Sequence, residues 1–168
     1  MTPTIIRLAL VAALLAPSYV VAQPANLDWQ RYNNPAYGFS VELPMGRFSS
    51  LGATDAPGLA LAEIGGEGQI SLYGGPADGL TLEDFATSLS AGDQVRTITY
   101  QAEGNSWFVL SGFYDGGRSD DPLIFYAKVL MSSDHSRFSA FEISYPQSQK
   151  ARYDSIVDRS EGSLTRPR

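Results

Sequence analysis

The sequence predicts an α+β domain: a single antiparallel β-sheet of about six to seven strands covered by helices. Three observations lead there. After Gly92 the chain passes through four strand-like segments in succession with short links, the pattern of an antiparallel meander. Two earlier segments flank a glycine-rich turn in the manner of a hairpin. Two other segments carry apolar residues at helical spacing, and helices of that kind cover the faces of a sheet.

Taken in chain order, residues 1–22 read as an export signal. Arg7 is the one cation, LALVAALL (8–15) is a short apolar run, Pro17 breaks it, and Val20 and Ala22 occupy the small-residue positions before a cut. The run is too short to span a bilayer. Cleavage after Ala22 makes Gln23 the new N-terminus and takes the net charge from −6 to about −7, because only Arg7 is lost. The expected location is the periplasm, with no stable membrane insertion after cleavage. An acidic chain is a poor partner for a nucleic-acid backbone. The 168 residues contain no cysteine, which closes disulfide, thiol and lipid-anchor chemistry.

Residues 23–31 read as a tether, with Trp29 placed to dock on the domain that follows, 32–165. YNNPAYG (32–38) reads as turns, and FSVEL (39–43) alternates as a half-buried strand that Pro44 ends. A loosely held loop follows. LALAEI (59–64) and QISLYG (69–74) flank GGEG as a hairpin. The period then changes. Leu82, Phe85, Ala86 and Leu89 form a helical stripe, with Thr81 and Asp84 spaced as a capping box and Gly92 as the stop. The strands of the meander are 94–102, 106–114, 122–132 and 137–146. Those at 106–114 and 122–132 are apolar on both parities, which predicts central strands covered on both faces and a buried Trp107. A second helix over 147–164 carries Tyr153, Ile156, Val157, Ser160 and Leu164. The tail, 166–168, is expected to fray.

Several of these segments match a known pattern: YNNPAYGFSVELP (32–44), YGG (73–75), TLEDF (81–85), RTITYQ (96–101), NSWFVLSG (105–112), IFYAKV (124–129) and FEISYP (141–146). Together they resemble small exported bacterial domains of uncharacterised function. The fold of those domains is similar to that shared by the PsbP extrinsic protein of photosystem II and the nuclear-transport factor Mog1. The resemblance covers nearly all of residues 30–165 and implies a PsbP/Mog1-like sandwich. Its aromatic and glycine positions are frame residues, so it implies no catalytic set and no cofactor.

The residues themselves offer few catalytic candidates. His135, the only histidine, lies in a polar turn, SSDHSR, and adjacent residues of one turn seldom supply the roles of a triad. Ser111 lies inside a strand without the glycine-flanked elbow that a nucleophilic serine needs. The glycine-rich GGEG (65–68) and YGGPADG (73–79) lack the lysine of a phosphate cradle. Asp115, Asp120 and Asp121 share the loop 115–121, which lacks the spacing of a helix–loop–helix calcium site and reads as a hairpin tip. No metal site is predicted. A tyrosine set is the richer signal. Tyr73, Tyr100, Tyr114, Tyr126 and Tyr145 are candidates for a groove that binds a ligand or partner, since tyrosine offers rigid apolar area and a hydroxyl together. The leading reading is a non-catalytic periplasmic binding or envelope-accessory domain for a protein or small ligand. A carboxylate-dependent hydrolase and a purely structural envelope protein are the alternatives.

Overall fold

The computed structural model describes residues 26–52, 57–91, 96–115 and 120–168. The export signal, the Gly92 stop and the centre of the 115–121 loop lie outside the described residues. Among the described residues, nine strands and two α-helices follow one another. They are β1 (Trp29–Asn34), β2 (Phe39–Pro44), β3 (Phe48–Ser50), β4 (Gly58–Glu63), β5 (Gln69–Pro76), α1 (Leu82–Ala91), β6 (Arg96–Gly104), β7 (Trp107–Tyr114), β8 (Leu123–Met131), β9 (Arg137–Pro146) and α2 (Lys150–Ser163).

Seven strands form one antiparallel sheet in the order β3-β4-β5-β9-β8-β7-β6. The predicted meander is its larger part, and the β4–β5 hairpin joins it through β5 against β9. Helix α1 covers one face. It lays Leu82, Phe85, Ala86 and Leu89 over a core of Phe108, Leu110, Phe125, Ala127, Val129 and Ala140. Its first turn closes as the spacing requires. The Asp84 amide donates to Thr81 Oγ1 at 3.2 Å, and the Thr81 amide donates to Asp84 Oδ2 at 2.8 Å.

The opposite face is covered by α2 together with a separate two-stranded hairpin, β1–β2. Phe39, Val41 and Leu43 of the hairpin meet Ile70, Leu72, Phe141 and Ile143 of the sheet. Tyr153, Ile156, Val157 and Leu164 close the core from the helix side. All five stripe residues expected on this helix are buried, Ser160 through a hydroxyl that donates to the Glu42 carbonyl at 2.9 Å. Gly74 allows the hairpin to approach the sheet, because a Cβ there would sit 2.8 Å from the Phe39 ring.

Four expectations are corrected. Trp29–Arg31, read as tether, belong to β1, paired in register with β2 from Trp29 against Pro44 to Asn34 against Phe39. The segment after Pro44 is not all loop, since Phe48–Ser50 pair with β4. The tail does not fray. The Arg168 amide donates to the Tyr37 carbonyl at 3.0 Å, Arg166 donates to the Met131 carbonyl at 3.0 Å, and Pro167 is buried. Strand β7 is not covered on both faces. It lies one strand in from the β6 edge, and Trp107, Ser111 and Phe113 remain partly accessible on the α2 side.

The glycines of GGEG serve packing. Glu63 turns its carboxylate inward, and a Cβ on Gly66 would lie 1.9 Å from Glu63 Oε2. A Cβ on Gly68 would lie 2.4 Å from the Tyr153 hydroxyl. The turn needs backbone that can come this close to a buried carboxylate and phenol.

Candidate functional site

The five candidate tyrosines do not form one groove. Tyr73 and Tyr114 face α1, whereas Tyr100, Tyr126 and Tyr145 face α2. Register explains the division. Ser111 pairs with both Tyr100 and Tyr126, so these three share one face, while Tyr114 belongs to the other parity of β7.

On the α1 side, Tyr73 and Tyr114 line a polar cavity of about 460 Å³ with Gln69, Ser71, Arg96 and Glu142. Arg96 reaches over the rings of Tyr114 and Phe125, 4.8 and 4.9 Å from their centroids, to Glu142. Its two terminal nitrogens donate to the two carboxylate oxygens at 3.3 and 3.1 Å, and the Tyr114 hydroxyl donates to Oε1 as well. The carboxylate is thus matched from within the chain, and the cluster ties edge strand β6 to central strand β9.

On the α2 side the arrangement is open. Helix α2 packs along β9 and leaves the outer strands uncovered. Two adjoining cavities of about 350 and 410 Å³ share Tyr100 and Tyr126 in their walls. The first is walled by Trp107, Val109 and Leu130, with Lys128 and Glu161 at its side. The second continues past Phe113, Ile124 and Tyr145 to Asp154, Val157 and Asp158 on the helix. Lys128 does not lie free on the strand. Its Nζ donates to Glu161 Oε2 at 2.5 Å and to the Glu161 carbonyl at 3.1 Å, bridging β8 to α2. Tyr145 presents only an edge, because its ring is stacked on Tyr153 at 4.4 Å between centroids.

Trp107, Asp158 and Glu161 belong to this groove and were not among the candidates. A signal for the carboxylates was present. Asp154, Asp158 and Glu161 fall at spacings of four and three, along one edge of the helix beside its buried stripe.

The other candidates remain separate. His135 sits in a turn at φ 58° and lines a wide cleft of about 790 Å³ with Glu83, Glu103 and Asn105. Its neighbour Asp134 is occupied by Ser132 and Ser136, whose hydroxyls donate to Oδ1 at 2.6 and 2.8 Å. Those bonds hold the Asp134 carboxyl down to about 2. The Ser111 hydroxyl donates to the Phe125 carbonyl at 2.8 Å within the sheet. In the acidic loop, Asp115 accepts from Thr97 and Asp121 accepts from Ser148, both at 2.7 Å, so these two carboxylates are engaged by different elements. Among the described residues there is no group of three or more His, Cys, Asp or Glu placed to hold a metal ion, and no helix is long and apolar enough to cross a membrane.

The tyrosine hydroxyls carry a common electrostatic signature. Burial first, and then a nearby carboxylate, raises Tyr73, Tyr114, Tyr126 and Tyr153 above the ordinary value of 10.0. The carboxylate is Glu142 for the first two, Glu161 for Tyr126 and Glu63 for Tyr153. As pH rises through about 10, the unfolded chain releases these protons before the folded one does, so stability falls. The urea midpoint is expected to be level from about neutral pH up to that pH and to drop above it, with the absorbance of these four tyrosinates appearing together with unfolding. A midpoint that stays level well above pH 10 would contradict this.

No protein-family model matches the chain, and no curated protein matches it by sequence. Solved structures do match. The solution structure of cyanobacterial PsbP (CyanoP) from Synechocystis sp. PCC 6803 superimposes with a TM-score of 0.58 at 15% identity, over 90% of this chain and 98% of that one. The Saccharomyces cerevisiae Ran-binding protein Mog1p superimposes with a TM-score of 0.56 at 9% identity, over 83% of this chain and 95% of that one. A variant of the protein Mog1 gives 0.57 at 8% identity, over 82% and 95%. The class is therefore a PsbP/Mog1-like α+β sandwich, and at these identities the likeness is one of fold.

Proposed function

We propose that this chain is a non-catalytic accessory domain of the bacterial periplasm, and that it receives a protein partner in the groove between α2 and strands β6–β8. The observation that carries the reading is the uncovered aromatic face. Tyr100 is 56% exposed, beside the partly accessible Trp107, Phe113 and Tyr126, on a sheet face whose middle is buried under α2 and the β1–β2 hairpin. Aromatic side chains held rigidly by a sheet are effective anchors for a partner, because they give large contact area at small entropic cost. The Ran-binding Mog1p is, by its name, a protein-binding example of the same fold, which supports a docking role without specifying this partner. The separate engagements of Asp115 and Asp121 favour binding over a carboxylate hydrolase, which needs two carboxyls held at a fixed separation across a cleft.

A photoreactive residue at position 100 tests the proposal, with one at Leu51, beside the opposite sheet edge, as control. In native envelopes the probe at Tyr100 should crosslink one discrete protein and the probe at Leu51 none. Tyr100→Ala should remove the interaction while changing stability by less than about 0.5 kcal/mol, as expected of an exposed side chain. Equal crosslinking from both positions, or none from Tyr100, would overturn the docking site. Turnover of glycan, ester or phosphoester substrates by the wild-type chain would overturn the non-catalytic reading. Protein recovered from the periplasm should begin at Gln23.

A further inference from the structure

The rim of the α2-side groove specifies the kind of group it can hold. Asp154, Asp158 and Glu161 stand along the helix edge that overlooks Tyr100, Tyr126 and Tyr145. Two of the three carboxylates are matched within the chain. Lys150 Nζ lies 2.7 Å from Asp154 Oδ1, and Lys128 Nζ lies 2.5 Å from Glu161 Oε2. Asp158 makes no hydrogen bond or ion pair with any described residue. Asp158 is exposed on the helix, and its charge acts on the Tyr126 and Tyr145 hydroxyls and, more distantly, on the Lys150 ammonium, whose hydrogen bond goes to Asp154.

An exposed carboxylate without a direct partner, beside tyrosine rings, is half of a cation site. The carboxylate supplies charge, and the ring faces supply a negative quadrupole. An anion entering here would be repelled by Asp158. A purely apolar group would cover that carboxylate and strip it of water without compensation. The net charge of −6 adds a longer-range attraction for basic surfaces. Arginine suits the site better than lysine, since a planar guanidinium pairs with a carboxylate and stacks on an aromatic ring at once.

Building on the docking role proposed above, we infer that the groove receives an arginine side chain from an exposed segment of the partner, its guanidinium against Asp158 and its stem along Tyr100 and Tyr126. The probe is the capped peptide Ac-Gly-Arg-Gly-NH2, titrated into the full chain and followed by two-dimensional amide NMR. Its citrulline counterpart keeps the shape and loses the charge. Saturable shifts are expected at Tyr100, Tyr126 and Asp158, with the citrulline peptide at least about tenfold weaker, the loss expected when a charged contact of this size is removed. Asp158→Asn should weaken the arginine peptide by a similar factor while leaving distant signals unmoved, and added salt should weaken it further. Tyr100→Leu provides a second variant that keeps apolar bulk and removes the ring. Equal binding of the two peptides, an unaffected Asp158→Asn, or shifts that never saturate would overturn the inference. A chain that crosslinks a partner through position 100 yet ignores the arginine peptide refutes the arginine selectivity alone. Arginine-dependent shifts without any crosslink refute the protein-docking role and leave the cation site standing.

Discussion

Replacing Phe141 by alanine is expected to destabilise the domain by about 3–5 kcal/mol, the usual range for a buried phenylalanine. Phe141 lies at the middle of β9, the strand with β5 on one side and β8 on the other, where its register partners are Leu72 and Lys128. Its side chain is fully buried (0% exposed) in the core shared with the β1–β2 hairpin and α2. Truncation removes the ring's transfer free energy and leaves a cavity beside strands held in register by their hydrogen-bond ladders, which collapse only partly to fill it. Domains of this size have roughly 5–15 kcal/mol in total, so the variant should lose a large part of its stability. Urea unfolding gives the number, as a lowered midpoint at an unchanged slope. A loss below about 1 kcal/mol would mean that β9 is not where the core is assembled.

Glu63→Ala should cost a comparable amount, about 3–5 kcal/mol, for an electrostatic reason. The Glu63 side chain is 0% exposed and collects three hydrogen-bond donors and one further cation. The Tyr153 hydroxyl donates to Oε2, the Gly68 amide donates to the same oxygen at 3.3 Å, and Arg152 Nη2 donates to Oε1 at 2.5 Å. Arg47 Nε lies 3.7 Å from Oε1. Removing the carboxylate leaves a buried phenol and a buried amide without their acceptor and a largely buried guanidinium without its counter-charge. Arg152→Ala is the informative contrast. Arg152 is 44% exposed and is solvated in either state, and its loss leaves Glu63 with the Tyr153 hydroxyl, the Gly68 amide and Arg47, so it should cost clearly less than Glu63→Ala. Equal effects from the two substitutions would show that the Arg152–Glu63 contact alone, and not the rest of the network, holds the β4–β5 turn to α2.

Much of this frame was legible in the chain. The α1 stripe and its Thr81–Asp84 box are local patterns, and they close as hydrogen bonds across three residues. The α2 stripe was legible for the same reason, as was the succession β6 to β9, because alternation and short links are written within the segments that use them. Strand β1 was not. Trp29–Asn34 shows little alternation, and it is a strand because β2 pairs with it and Arg159 packs over the Trp29 ring, 4.4 Å from its centroid. The tail was misread for a similar reason. What holds Arg166 and Arg168 is the main chain at Met131 and Tyr37, which no local pattern announces.

The groove marks the boundary most clearly. Sequence alone determined an α+β sandwich with tyrosines on its strands, because hydrophobic period and turn chemistry are local properties. It could not assign those tyrosines to faces. Strict alternation would put Ile98 and Tyr100 on the same side of β6, but the register shifts between them, with Ile98 opposite Gly112 and Tyr100 opposite Ser111. Gly112 permits this, since a Cβ there would meet the Thr97 carbonyl at 1.9 Å. The shift sends Ile98 into the core under α1 and Tyr100 out beside α2. Only the assembled sheet decided that outcome, because the face a side chain occupies depends on a strand's partner and on which helix covers the result, and both are set by residues distant in the chain.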